Sequence, residues 1–293
     1  MSTDLPSSET RRPWHEGETA ARLLAGKPQI APVIRPFMTE QLRGFFPLLP
    51  LVVVTGLDAS GRPVASLLCG EPGFVASQDP WRLDIAATLP SCDPLAGSLA
   101  PDSPFGLIGV DFLARRRNRA NGRIIDATPG RLSVQVSEAF GNCPKYIAPR
   151  QLLSPPAGSS PGFWRAADRT ETGELITHTE SFFIATRGPD GVDISHRGGR
   201  PGFVRQAPDG SLTIPDYRGN NYFNTFGNLL HNPAAALLFV DFVAGKALHL
   251  SGEAQIDFSG AERFWRFTPQ AARILHAGAP YGGAALTLPP EAP

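Results

Sequence analysis

Two short stretches carry the residue types that bind anions. Asp193-Ile194-Ser195-His196-Arg197-Gly198-Gly199-Arg200-Pro201-Gly202-Phe203-Val204 sets a hydroxyl, an imidazole and a guanidinium side by side, on the way from a strand into a glycine-rich turn. Asp216-Tyr217-Arg218-Gly219-Asn220-Asn221-Tyr222-Phe223-Asn224-Thr225 adds an arginine, three asparagines and a threonine just ahead of a helix start. Gly219 there permits close backbone approach. Hydroxyl and amide donors, arginine and a helix N-terminus together suit a phosphomonoester. Asparagines also serve left-handed turns, so an anion site and a plain polar loop both fit these residues.

The elements that must position them come in two copies. Gly73-Phe74-Val75 recurs as Gly202-Phe203-Val204, Val110-Asp111-Phe112 as Val240-Asp241-Phe242, and Gly61 as Gly191, all offset by 129 or 130 residues. The run Val53-Val54-Thr55 answers Ile184-Ala185-Thr186, and Ser66 answers Ser195. Repetition at one offset implies two related units, each reading as strand, glycine turn, strand and a later strand. Only the second copy has the polar stretch 214–225, so one copy holds a site that the other lacks.

The chain of 293 residues has zero formal net charge and 42% hydrophobic residues, enough for two cores. Zero net charge argues against a general nucleic-acid binder. Three lysines stand against twenty-four arginines, and arginine is the only basic side chain apart from histidine between residues 146 and 245. The longest apolar run near the second copy, 234–240, is far short of the roughly 20 residues that span a bilayer. No basic start leads into an apolar core, so no signal peptide is expected. Cys69, Cys92 and Cys143 are odd in number and match no zinc spacing, and a reduced, cytoplasmic protein without a resident metal is the natural expectation.

The pattern predicts short helices at 14–26 and 39–46, then strands at 51–55, 64–68, 83–86, 105–112, 124–127 and 132–136. The Pro/Ser/Gly-rich 154–162 reads as a linker. Strands at 181–186, 192–195, 212–215, 235–242 and 247–258 follow, with a helix between 222 and 231 stopped by Asn232-Pro233. A terminal helix is expected over 260–277. The boundaries are an arm at 1–40, a first barrel at 41–150, a linker at 151–174, a second barrel with a C-terminal helix at 175–277, and a tail at 278–293. A mainly β protein of two tandem closed or partly closed barrels with short flanking helices accounts for the pattern.

Strand, glycine turn, strand, polar loop, a helix ending in Asn-Pro and then an apolar strand resembles the split β-barrel of the pyridoxamine 5′-phosphate oxidase-like FMN-binding family. The run 178–252 is similar to its flavin-nucleotide-binding branch through Ser195-His196-Arg197-Gly198-Gly199, Arg218-Gly219-Asn220-Asn221 and Asn224-Thr225-Phe226-Gly227-Asn228. The first copy resembles that branch through Arg115-Arg116-Arg117-Asn118-Arg119-Ala120-Asn121-Gly122 and Phe140-Gly141-Asn142-Cys143-Pro144-Lys145-Tyr146-Ile147. The resemblance implies one FMN in the second barrel. Its phosphate is expected at Arg197, Arg218, Asn220, Asn224 and Thr225, with Ser195 and His196 nearer the ribityl chain or ring; Asp216, Tyr217 and Asn221 complete the set. The lysine usual before the helix is missing, and so is the Arg-x-His substrate motif, since Arg273 and His276 are three apart and are expected on a helix. True pyridoxamine phosphate oxidase activity is therefore not expected.

Family members usually bind flavin between two subunits, so the first barrel is expected to stand in for a partner. The segments Arg115 to Arg119 and Asn142 to Tyr146, with Arg115, Arg117, Asn142, Cys143, Lys145 and Tyr146 as the named wall residues, would then close the pocket of an intramolecular pseudo-dimer, with a further homodimer also compatible. The bland alternative for Arg115 to Arg119 is a solvated loop before an Asn121-Gly122 hairpin turn. Cys143 fits a turn better than redox chemistry, and His15 fits a structural place at a helix start. Hydride or electron transfer between NAD(P)H, or a separate reductase, and a small molecule is the leading reaction class. A non-catalytic flavin sensor, a haem-binding protein and a deazaflavin-dependent reductase are the alternatives. No Gly-x-Gly-x-x-Gly fingerprint and no iron–sulfur cysteine set occur in the chain.

Overall fold

The computed structural model describes residues 13–31, 33–152, 163–219, 222–260 and 263–276. The expected linker 154–162 and tail 278–293 lie outside the described residues, as do Asn220 and Asn221.

The first unit follows helices α1 (Glu16–Leu24) and α2 (Glu40–Arg43). Its strands are β1 (Leu51–Leu57), β2 (Pro63–Cys69), β3 (Val75–Asp79), β4 (Arg82–Ile85), β5 (Pro104–Asp111), β6 (Arg116–Thr128) and β7 (Arg131–Asn142). After β8 (Phe163–Ala166) and α3 (Arg169–His178), the second unit runs β9 (Ser181–Arg187), β10 (Val192–Gly198), β11 (Arg205–Gln206), β12 (Leu212–Pro215), α4 (Asn224–His231), β13 (Ala234–Asp241), β14 (Lys246–Asp257) and β15 (Phe264–His276).

Both sheets are antiparallel and share one strand order. The first is β2-β1-β5-β6-β7-β4-β3 and the second β10-β9-β13-β14-β15-β12-β11, so each strand of one has its counterpart in the other. The seven strands of the first sheet curl round one apolar core that includes Val52, Val64, Val75, Leu83, Phe105, Ile124 and Val134. Phe182, Ile184, Leu212, Leu237, Leu250 and Phe267 do the same in the second. Each unit is thus a split β-barrel.

A third core joins the barrels. Residues of β1, β2 and β5 alternate between two buried faces: Val52 and Val54 point into their own barrel, while Leu51 and Val53, with Ala65 and Ile108, meet Phe183, Ala185, Ile194 and Leu238 of the second unit. Burial on both faces explains why these strands read as unbroken apolar runs. Arg62 Nη2 donates to Gly252 O (3.0 Å) and Arg187 Nη1 to Gly61 O (3.1 Å) across the same junction.

Several expectations change. Strand β15 (Phe264–His276) stands where a terminal helix was expected, and Arg273 and His276 lie on it. Strand β8 and helix α3 occupy 163–178, inside and beyond the stretch expected as linker. Asn121-Gly122 makes no hairpin turn: it sits within β6, where the register shifts between the two residues, and the hairpin closes at 128–131 with Gly130 at φ 82°. A Cβ on Gly122 would lie 1.9 Å from Gln135 O, so close backbone approach, not turn geometry, requires glycine there.

His249 of β14 is buried at the junction, where Ala65 N donates to its Nε2 (3.4 Å). Burial, aided by Arg273, lowers its pKa from 6.5 to about 4. The unfolded chain takes up that proton below pH 6.5 and the fold refuses it, so the stability contributed by neutral His249 is lost as pH falls from 6.5 towards 4. Asp93, whose carboxyl is raised by burial, works in the opposite sense. Urea unfolding at pH 7 and pH 4.5 should therefore show that His249→Gln removes up to about 3 kcal/mol of pH dependence relative to the native chain; identical pH dependence in both would contradict this.

Candidate functional site

Between the two barrels lies a polar cleft of about 900 Å3, including its open mouth. The first unit supplies Arg117 and Arg119 from β6 and Asn142, Cys143, Lys145 and Tyr146 from the end of β7 and beyond it. The second supplies Ser195, His196 and Arg197 from β10, Tyr217 and Arg218 after β12, and Asn224 and Thr225 at the start of α4. No carboxylate lines it among the described residues.

Local structure fixes each group. Strand periodicity puts Arg117 and Arg119 on one face of β6. Helix α4 starts after Phe223, a left-handed residue (φ 62°), without a side-chain cap, leaving its first amides to Asn224 and Thr225 at the cleft. Helix α1 holds α4 in place through very close packing: a Cβ on Gly17 would lie 2.3 Å from Gly227 O. His15 caps α1, accepting from Gly17 N (3.1 Å), and its Nε2 meets Asn228 Oδ1 (3.0 Å), as its structural reading requires. Thr225 Oγ1 donates to Ser195 Oγ (2.8 Å), tying the helix start to β10.

The electrostatics are lopsided. Arg119 donates to Asp193 (2.8 Å), which also accepts from Asn121 (3.0 Å), a buried pair that crosses the junction. Arg197 has Asp216 at 3.8 Å, but that carboxylate is shared with Arg263 at 2.8 Å. Arg117 makes no ion pair among the described residues; its Nη1 donates to His196 Nδ1 (2.7 Å). Burial, then Arg119 and Arg197, pulls the Arg117 pKa down to about 9. Burial and Arg117 drive His196 well below its ordinary value, so the ring is neutral. The Nε atoms of Arg117, Arg119 and Arg197 and Oδ1 of Asn142 are buried without hydrogen-bond partners among the described residues. Unpaired buried cations are costly, and an anion in the cleft relieves that cost.

Most expected site residues converge here: Ser195, His196, Arg197, Tyr217, Arg218, Asn224 and Thr225 with Arg117, Asn142, Cys143, Lys145 and Tyr146. Asp216 lies behind the lining, its side chain fully buried against Arg197 and Arg263. Arg115 does not line the cleft; it occupies the β5–β6 turn at φ 53°. The arginine run is therefore strand, not a solvated loop, from Arg116 onward. Arg119, within the Arg115 to Arg119 segment expected to close the pocket, lines the cleft, and so does Tyr222, which was not among the expected site residues.

The corresponding place in the first barrel is closed. By register, Ser66 occupies the position of Ser195, but Leu67 and Leu68 stand for His196 and Arg197, and Ala247 and His249 for Arg117 and Arg119. Asp93, bound by Ser66 and by Trp164 Nε1 (2.9 Å), fills it.

Residues 169–285 match the family model described as Pyridoxamine 5′-phosphate oxidase. The match falls on the second unit and covers 117 of the 293 residues. No curated protein matches the sequence. Similar solved structures include an FAD-binding protein of Mesorhizobium loti, at 10% identity over 40% of this chain and 98% of that one, with TM-score 0.32. The FAD-binding protein of Mycobacterium smegmatis shows 12% identity over 38% and 96%, with TM-score 0.27. A Clostridium acetobutylicum protein related to general stress protein 26 shows 15% over 40% and 93%, also at 0.27. At these scores none of the three adds to the family match. No described helix is long and apolar enough to cross a membrane.

The Arg119–Asp193 pair gives a direct test of the junction. Asp193→Ala leaves a buried guanidinium unpaired and should destabilise the protein by about 3–5 kcal/mol in chemical unfolding, most of it restored by adding Arg119→Met. A loss that the second substitution does not restore would mean that Asp193 acts through something other than this charge.

Proposed function

We propose that the cleft binds one FMN and that the protein is a flavin-dependent oxidoreductase of the pyridoxamine 5′-phosphate oxidase family. The observation that carries this reading is the convergence of Arg117, Arg119 and Arg197, from both barrels, on the uncapped start of α4 within the family-matched region. Orphaned buried guanidinium nitrogens and the absence of carboxylates from the lining among the described residues suit a phosphate. Arg197, Arg218, Thr225 and the amides of α4 would hold the phosphate, with Asn224 beside it. Ser195 and His196 lie towards the ribityl chain and ring.

The equal strand order of the two sheets supports reading the chain as a duplicated unit whose barrels act as an intramolecular pseudo-dimer. On that reading the first barrel takes the place of a second subunit by supplying Arg117, Arg119, Asn142 and Lys145. A bound flavin supplies hydride and electron transfer, and the protein supplies binding, orientation and electrostatics. Arg117 and Arg197 place positive charge beside the cofactor, and neutral His196 adds none. NAD(P)H is the proposed donor and a small molecule the acceptor.

Phosphate recognition separates this reading from a generic polar cleft. A hydrogen bond to a charged group is worth roughly 1.5–3 kcal/mol, so Arg197→Ala should weaken FMN about 10- to 100-fold while riboflavin, which has no phosphate, changes little. Equal losses for both ligands would make Arg197 structural. Anaerobic NADH or NADPH should bleach the bound flavin at a rate that saturates with donor; bleaching by dithionite alone would remove the oxidoreductase part and leave the binding.

A further inference from the structure

A column of five aromatic rings runs from the core of the second barrel to the rim of the cleft. Phe239 stacks on Phe182 (centroids 5.0 Å apart, 30° between planes) and Phe182 on Phe203 (5.9 Å, 19°). Phe203 stacks on Tyr217 (6.4 Å, 29°), and Tyr217 on Tyr146 (5.0 Å, 21°). Exposure rises along the column, from 0% for Phe239 and Phe182 through 8% for Phe203 to 37% for Tyr217 and 39% for Tyr146. The first four rings belong to the second unit and the last to the first.

The terminal ring is held there by construction. Tyr146 adopts φ 64°, a left-handed conformation that is uncommon outside glycine and that persists where surrounding structure enforces it. Its backbone docks on the end of β10 at Gly198, where a Cβ would lie 1.9 Å from Tyr146 O. Any other residue at 198 would push the segment away and part Tyr146 from Tyr217. Two cations stand beside the rings: Lys145 and Arg218 both line the cleft, and neither forms an ion pair among the described residues. A stack that ends in an exposed ring, with unpaired cations at its side, offers a planar aromatic group a face and its anionic substituent a charge.

We infer that Tyr146 and Tyr217, with Lys145 and with Arg218 shared with the flavin phosphate, form a second subsite at the cleft mouth for an adenine nucleotide. The inference rests on the flavin reading and extends it. The adenine arrives either as the adenosine half of FAD, its pyrophosphate meeting the two cations, or as a separate nucleotide such as NAD(P)H bound beside FMN. Stacking discriminates little among bases, so the anionic group and its distance from the ring set the preference.

Calorimetric titration of the full chain tests this with three probes: FMN, FAD, and ADP added to FMN-loaded protein. A covalently joined adenine predicts FAD binding about 10-fold or more tighter than FMN, and a separate nucleotide predicts saturable ADP binding to the loaded protein. Whichever is seen, Tyr146→Ala should cut the FAD-over-FMN ratio or the ADP affinity about 10-fold, and Tyr146→Phe should retain it. Equal FAD and FMN affinities without ADP binding would overturn the subsite, as would a preference that Tyr146→Ala leaves intact. If no flavin binds, ADP is titrated into the unloaded protein: Tyr146-dependent binding keeps the subsite and removes the flavin reading, and no binding removes both.

Discussion

The outer faces of β1, β2 and β5 carry Leu51, Val53, Ala65 and Ile108, and those of β9, β10 and β13 carry Phe183, Ala185, Ile194 and Leu238; neither set can be left in water. Burying these faces against each other is the constraint on which the rest depends. It sets β6 of the first barrel beside β10 of the second. Arg119 then meets Asp193, Arg117 meets His196, and a cleft appears whose walls come from both units. The apolar contact is non-directional, whereas the Arg119–Asp193–Asn121 bonds fix how the faces are seated.

Two related barrels packed face to face would be expected to enclose two related clefts. The chain keeps one because a handful of positions differ. Leucines at 67 and 68 and Ala247 remove the imidazole of His196 and the guanidinium groups that Arg197 and Arg117 provide on the other side. Trp164 of β8 and Asp93 then fill the space with a hydrogen-bonded cluster that includes Ser66. Conversely, the open cleft holds buried guanidinium groups with orphaned nitrogens, an arrangement that favours an anionic occupant over an empty site.

Much of this was legible in the sequence, because repeats and period-two apolar runs report directly on barrels with both faces covered. The two anion-binding stretches were visible from residue type, and the strands and helix that carry them fell close to where the pattern put them. The errors have physical causes. Asn121-Gly122 carries the strongest local turn signal in the first unit, but the close approach of Gln135 O used its glycine for a bulge. That misreading hid the alternation of Arg117 and Arg119. Strand β15 reads as a helix in the sequence because Arg273 and His276 are three apart, a helical spacing, whereas pairing with β14 and β12 overrides that pattern. Strand β8 has only four residues and gains its order from pairing with β15, which no local signal records.

The central claim is that two barrels in one chain build one flavin site. The visible absorption spectrum of the purified full-length protein, set against its protein concentration after saturation with FMN and removal of the excess, tests it most directly. The account predicts a flavin spectrum at one FMN per chain. Two FMN per chain would show that the place closed by Trp164 and Asp93 is a second site, and a protein that stays colourless would contradict the flavin site itself.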